Sequence, residues 1–432
     1  MRIRASDVAA ATGGTLFGPD VDLDGVSFDS RSLVPSQLFV ALVAERDGHE
    51  FIVSAMGNGA GAYLTQREPG QGTAIVVADT AEALMRLGRW GRSRLDARVV
   101  GITGSVGKTS TKDLARAALA GGLRTAANER SFNNEQGLPV TILNSPDDTQ
   151  ALVLEMGMRG FGQITRLCEV GRPDIGVVTR VAEAHTELVG GIEGVARAKS
   201  ELIASLPASG TAVLNADDDR VASMSSIATC SVLTFGMSAG ADMQIDQLVL
   251  DELARARFVL RTPWGNVPVA LAVSGEHMAV NAAAALAVAA ICGVDLAASS
   301  GALADAQLSP WRMEIVRHGN GVVVINDAYN ANPASMRAAI DTLMSLRISG
   351  RRVAMLGAMA ELADPTKDHA EIAALLTERG VELIAVGTDL YGVPACDNAL
   401  EVLRSLAGDD AVLIKGSRIA GLERLAALFI GE

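Results

Sequence analysis

Residues 98–120 read RVVGITGSVGKTSTKDLARAALA. A β-branched run, a glycine-rich turn and a helical pattern follow one another. In that succession the backbone N–H groups of a helix N-terminus face a phosphate. The glycines let the backbone crowd a ligand, Lys108 can reach β- and γ-phosphates, and the Thr109 hydroxyl can ligate Mg²⁺. The spacing is not the strict phosphate-loop pattern, since Gly101 lies one residue too far from Gly107 and Lys108. The segment predicts a nucleotide site made of Gly104, Ser105, Val106, Gly107, Lys108, Thr109 and Ser110, and it sets the class of the fold as α/β.

Outward from this unit, short apolar runs alternate with helical stretches, which is the pattern of α/β architecture. Upstream, LFVAL, GAYLT and AIVVAD read as strands before the helix in TAEALMRLGRWGRS. Downstream, LVLEMG, DIGVVTRV, TAVLNADD and CSVLTFG repeat the strand–helix rhythm of a mostly parallel sheet. Residues 243–273 read as antiparallel strands turning at PWGN, before an alanine-rich helix. Past SPWRMEI, the runs VVVIND, RRVAMLG, VELIAVG and AVLIKG form a second doubly wound unit. Three domains are expected: 1–95, 96–307 and 308–432.

Composition narrows the function. The 432 residues are 49% hydrophobic, enough for several cores. The longest apolar run, Ala282 to Val294, is too short to span a bilayer, and MRIRASDVAA does not read as a signal peptide. A cytoplasmic protein is expected, and a monomer. The four cysteines are scattered and suggest neither a disulfide framework nor a zinc site. A net charge of −13 and 3% aromatics argue against a nucleic-acid partner. They leave room for small anions held by a few focused cations.

Other candidates lie at strand ends, where open α/β sheets bind ligands. Glu155 ends an apolar run and is either a ligand suited to Mg²⁺ beside phosphates or a strand-end acid in solvent. His185 ends the next run, as either a ligand or a structural histidine. Asn133, Asn134 and Glu135 in SFNNEQGLP are either a capped helix start or donors facing a ligand. Asp327, Tyr329, Asn330 and Asn332 in NDAYNANP form, before Pro333, either a binding loop or a turn rich in helix-capping residues, and Glu361, Lys415, Ser417 and Arg418 repeat the strand-end logic. Lys199, in ARAKSEL, is one of only five lysines among 37 basic residues, on what otherwise reads as an ordinary amphipathic helix.

Taken in order, DSRSLVPSQLFVAL, DGHEF, GITGSVGKTS, SFNNEQGLP, LVLEMG, AHTELVGGIEGVARAKSEL, GEHMAVNAAAAL, WRME, NDAYNANPASM, LGAMAEL and IKGSR resemble the Mur ligase family along nearly the whole chain. DAYNANP is the most discriminating piece. It points to members that join D-alanyl-D-alanine to UDP-N-acetylmuramoyl-tripeptide, and the NPR-type segment of third-residue-adding members is absent. The resemblance implies a small UDP-sugar-binding N-terminal domain, a central ATP-binding domain and a C-terminal Rossmann-like domain. It also implies amide formation through an acyl phosphate, with ATP and Mg²⁺.

Carried over residue by residue, the resemblance gives Lys108 the phosphates, and Thr109 and Glu155 the first Mg²⁺. Asn134 goes to the γ-phosphate and His185 to a second Mg²⁺. Asn281 goes to the nucleotide base, Arg312 and Asp327 to ATP, and Ser30 and Arg31 to the uridine side. Lys199 matches a lysine carbamylated by CO₂, a reaction closed to arginine, which stays protonated. The chain departs from the family pattern at Ala44, Arg180 and Met278. Two alternatives remain: a related ligase with another amino-acid donor, such as a polyglutamate-type enzyme, or a P-loop kinase or nucleotide-binding regulatory module. The second would need neither Lys199 nor the polar loop of the third domain.

Overall fold

The computed structural model describes residues 1–129, 132–182 and 189–431. Among these residues the strands form a nine-stranded sheet, two five-stranded sheets and a two-stranded ribbon. The fold is α/β in three successive units, as the alternating pattern predicts.

The first unit carries a five-stranded sheet ordered Thr15–Phe17, Ala74–Val76, Ala62–Thr65, Leu38–Val40, Val26–Ser27. The helix Thr80–Arg94 leaves it, with Asp79 as its cap: the carboxylate accepts the N–H groups of Ala81 and Glu82. This helix packs on the helix Gly137–Asn144 of the next unit, within one shared core. Asn144 fastens the two units directly. Its amide donates to the Val26 carbonyl at 3.0 Å and its carbonyl accepts the Val26 N–H at 2.7 Å. Arg92 adds hydrogen bonds to the carbonyls of Gly171, Leu95 and Ala97.

The central unit is built around strand β1 (Arg98–Thr103) and helix α1 (Lys108–Ala120). Strand β1 lies between β2 (Ala151–Glu155) and β3 (Ile175–Val178), all parallel. From β1 the chain runs to the edge strand Thr125–Ala127 and returns as β2 beside β1. It then crosses to the opposite side as β3. The carboxyl ends of β1, β2 and β3 therefore meet where the winding reverses, the position at which such sheets open a crevice. Beyond β3 come helix α2 (Ile192–Ala204) and strand β4 (Thr211–Asn215). The far edge is antiparallel, Arg255–Thr262 turning through Pro263 and Trp264 into Gly265–Ser274. The alanine-rich helix α3 (His277–Ile291) is buried on nearly every side and packs on α1. A helix apolar all round belongs inside, and alanine lets two helix backbones approach closely.

In the third unit the strand Glu314–Arg317 pairs antiparallel with β5 (Val323–Asn326). The helix α4 (Pro333–Ser345), β6 (Arg352–Leu356) and β7 (Ala411–Lys415) follow, with β7 between β5 and β6. Side chains alternate along these strands. Ile325, Ala354 and Leu413 enter one core with the helices Pro333–Ser345 and Pro365–Glu378; Val324, Val353 and Val412 enter another with Ala399–Ser405 and Leu422–Ile430. Helices thus cover both faces, which is why these strands read as continuous apolar runs. No helix among the described residues is long and apolar enough to cross a membrane.

Candidate functional site

A cleft of ≈ 1090 Å³ opens between the strand ends of the central and third units. The loop residues Ser105 to Thr109 line it. Gly107 caps α1 in the left-handed region at φ 82°, and a Cβ there would lie 2.8 Å from the Asn281 amide oxygen. A Cβ on Gly104 would lie 1.9 Å from Thr179 Oγ1. Only glycine fits either position, which is the physical content of the glycine pattern. The loop is pinned by the residues that follow β3: the Ser105 N–H donates to the Arg180 carbonyl at 2.6 Å, and the Thr179 hydroxyl to the Val106 carbonyl at 2.6 Å. Lys108 folds over the loop and donates from Nζ to the Gly104 carbonyl at 2.6 Å. Burial lowers its pKa, against the attraction of Glu155.

Thr109 is the meeting point of the site. Its hydroxyl donates to Glu155 Oε2 at 2.8 Å and accepts from Arg312 of the third unit at 3.1 Å. The other oxygen of Glu155 accepts from the Asn133 amide at 2.8 Å. Arg312 also lies 4.1 Å over the Tyr329 ring, while its Nε is buried with no partner among the described residues. An orphaned buried donor in a cleft points to a group that the cleft receives. Lys199, on α2, is 3% exposed and lines the same cleft. No hydrogen bond or ion pair joins its Nζ to another described residue. Burial drives its pKa well below the usual range, the Lys108 charge pushes the same way, and Glu155 pulls against both.

Asn134 has two placements. It lines the cleft, and its side-chain oxygen also accepts the Gly137 N–H at 2.9 Å at the start of a helix. On the third unit, Asp327 pairs with Lys415, which also donates to the Asn330 carbonyl at 2.8 Å. Asn332 caps α4 by accepting the Ser335 N–H at 2.9 Å, and Ser335 returns the bond to Asn332. Glu361 lines the cleft at φ 60°, an uncommon backbone for a residue with a Cβ. Asn281 stands behind the loop with its amide 3.6 Å from the Met278 sulfur. Ser30 and Arg31 do not line this cleft. The Ser30 carbonyl accepts from Asn58, and Arg31 is exposed and paired with Asp29 at 2.7 Å. His185 lies outside the described residues.

Three features had no weight in the sequence reading. His277 sits in the cleft beside Asp327 and Lys415, its pKa pushed down to about 4 chiefly by burial. Asn128 fixes Glu155 by accepting its N–H at 2.8 Å. Lys112 and Asp113 form a buried pair one turn below Thr109. The histidine of GEHM was a usable signal for the first; the others act on backbone groups, which sequence patterns do not display.

The donor set fits the groups that the motif implies. Hard oxygens of Thr109 and Glu155 suit Mg²⁺, which takes one or two protein oxygens and completes its shell with water and phosphate. Among the described residues no cluster of three His, Cys, Asp or Glu is assembled, which is compatible with so sparse a set.

Residues 102–289 match the Mur ligase middle domain and residues 311–418 the Mur ligase, glutamate ligase domain. The chain is 37% identical to the UDP-N-acetylmuramoyl-tripeptide--D-alanyl-D-alanine ligase of Mycobacterium tuberculosis, over 94% of this chain and 92% of the relative. The crystal structure of MurF from Acinetobacter baumannii superposes with a TM-score of 0.90 at 29% identity, covering 100% of this chain and 99% of that one. The MurF ligase of Thermotoga maritima in complex with ADP gives 0.82 at 27% identity, covering 94% and 97%. With the phosphate loop, the strand-end cleft and both domain matches in agreement, the chain belongs to the Mur ligase family.

Proposed function

We propose that this protein is an ATP-dependent ligase that joins D-alanyl-D-alanine to UDP-N-acetylmuramoyl-tripeptide, a step in building the peptidoglycan precursor. One observation carries the reading: Thr109 is held at once by Glu155 of the phosphate-loop sheet and by Arg312 of the third unit. A cleft so bridged suits a reaction in which the nucleotide lies on one wall and the amine arrives from the other. The family of the relatives described above supports the choice of substrates. Domain limits at 95/96 and 307/308 follow the same reading.

The loop N–H groups and Lys108 cradle the phosphates of ATP. Thr109 and Glu155 would hold Mg²⁺, with His185 proposed at a second ion; the metal would neutralise phosphate charge when bound. The tripeptide carboxylate attacks the γ-phosphorus and ADP leaves, giving an acyl phosphate. The amine of the dipeptide attacks the acyl carbon, and the tetrahedral intermediate expels phosphate as the nitrogen loses its proton. Arg312, whose Nε has no partner among the described residues, stabilises charge on the transferring group, and Asn134 orients the acceptor. Asn281 and Asp327 flank the nucleoside, Ser30 and Arg31 the uridine, and Tyr329, Asn330 and Asn332 the dipeptide. Burial biases Lys199 toward the unprotonated amine, the form that adds CO₂, so Lys199 is proposed to carry a carbamate that would orient the metal.

Phosphate release is to be measured with UDP-muramoyl tripeptides and either D-alanyl-D-alanine or single amino acids. Release strictly dependent on the dipeptide is expected. Equal release with glutamate would favour a polyglutamate-type ligase, and ADP formation without any amine would favour a kinase.

A further inference from the structure

Lys112 and Asp113 follow the phosphate loop by one helical turn, and both are buried. Their charges meet at 2.9 Å. A buried ion pair is weak evidence for stability, because desolvation offsets the attraction; its better-attested use is to fix register. This pair reaches two backbones. Lys112 Nζ donates to the Asn128 carbonyl at 2.9 Å and lies 3.5 Å from the Ser309 hydroxyl. The second oxygen of Asp113 accepts the Ser309 N–H at 2.7 Å.

Each contact leads to one partner of Thr109. Asn128 holds the Glu155 N–H. Ser309 begins the segment that enters the third unit and delivers Arg312 three residues later. That segment is tense: Trp311 and Met313, on either side of Arg312, adopt φ of 61° and 47°. Non-glycine residues hold such angles only when their surroundings over-determine them. Before Arg312 the anchors are the Asp113 bond to Ser309 and the Trp311 ring, 4.4 Å under Arg418; after it, the Met313 N–H is held by Asp327 at 3.1 Å.

We infer that Lys112 and Asp113 are positioning residues that lock Glu155 and Arg312 in register about Thr109, and so couple nucleotide binding to the attachment of the third unit. The inference rests on the cleft being the ATP site. It also gives Lys112 a reason to be lysine: a single-point donor reaches the Asn128 carbonyl and Asp113 together, where a planar guanidinium fork would not fit equally.

The test uses the full-length protein and two variants, Asp113→Asn and the double variant Lys112→Met/Asp113→Leu. The first keeps an acceptor for Ser309 but removes the charge; the second replaces the pair with apolar groups, which buried pairs commonly tolerate without loss of stability. Thermal melts, calorimetric titration with ADP and MgCl₂, and steady-state kinetics are compared with the wild type. We expect at least the double variant to melt near the wild type while both lose about 10–100-fold in ADP affinity, as second-layer partners of metal sites do. The KM for ATP should rise in step while the KM for the UDP-linked substrate stays unchanged. Wild-type ADP affinity in a folded variant overturns the inference, as does unfolding of both variants, which would make the pair merely structural. Failure of the wild type to bind ADP would instead defeat the ligase reading.

Discussion

Lys199 and His277 face the same cleft, and burial drives both toward the neutral form. For Lys199 that bias is a chemical asset, because only the unprotonated amine adds CO₂. Lys199→Arg keeps a basic side chain of similar reach but removes that chemistry. The variant should fold and lose ligation by roughly 10²- to 10³-fold, the scale of losing a key electrostatic group; near-normal turnover would sink the carbamate. For His277 the consequence lies in pH. The folded imidazole titrates at about 4 against 6.5 for the ordinary group. Between those values the unfolded chain binds the extra proton, so stability falls as pH drops through the window and levels off below it. Melting temperatures of wild type and His277→Gln, recorded from pH 4 to 7, should diverge on the acid side, with the wild type losing more; parallel curves would contradict this. Lys199 stood out in the sequence because lysine is scarce in this chain; its burial in the cleft did not. Asn128 did not, because its work is a bond to a backbone N–H, and any polar residue on an ordinary strand end looks the same in sequence.

At the scale of elements, the loop between β1 and α1 was legible because glycine is a steric statement. Gly104→Ala forces a methyl to 1.9 Å from Thr179 Oγ1, and that hydroxyl is already committed to the Val106 carbonyl. The loop must shift, and a displacement near 1 Å at a reacting centre costs about 10²-fold in rate. We expect that loss in ATP-dependent turnover with the fold retained. Gly160→Ala is the control, since nothing lies within 4 Å of its added carbon; equal losses in both variants would disprove the steric account. Strands β5 to β7 were legible as continuous apolar runs because helices cover both faces. The partition of Val324 and Ile325 between two different cores was not, since both are simply apolar in the sequence.

For the molecule as a whole, the three-unit order was legible from the strand–helix rhythm. The juxtaposition of Arg312 with Thr109 was not, because 203 residues separate them and no local pattern reports a contact of that span. The net charge of −13 likewise hides the basic groups, Lys108, Lys199, Arg312 and Lys415, that gather in one cleft. The first unit stands in a different relation. It shares a core with the central unit and is bolted to it through Asn144, whose two hydrogen bonds to Val26 are each worth about 1 kcal/mol. Asn144→Ala should therefore lower stability by about 1–2 kcal/mol and narrow the preference, read as the ratio of kcat/KM, for muramoyl tripeptide over muramoyl dipeptide. An unchanged ratio would argue against a fixed span. With the sugar proposed near Ser30 and Arg31 and the reacting carboxylate at the phosphate loop, the distance between them is set by bolts rather than by a hinge. The enzyme would then act as a caliper, whose jaws close only on a stem peptide of the right length.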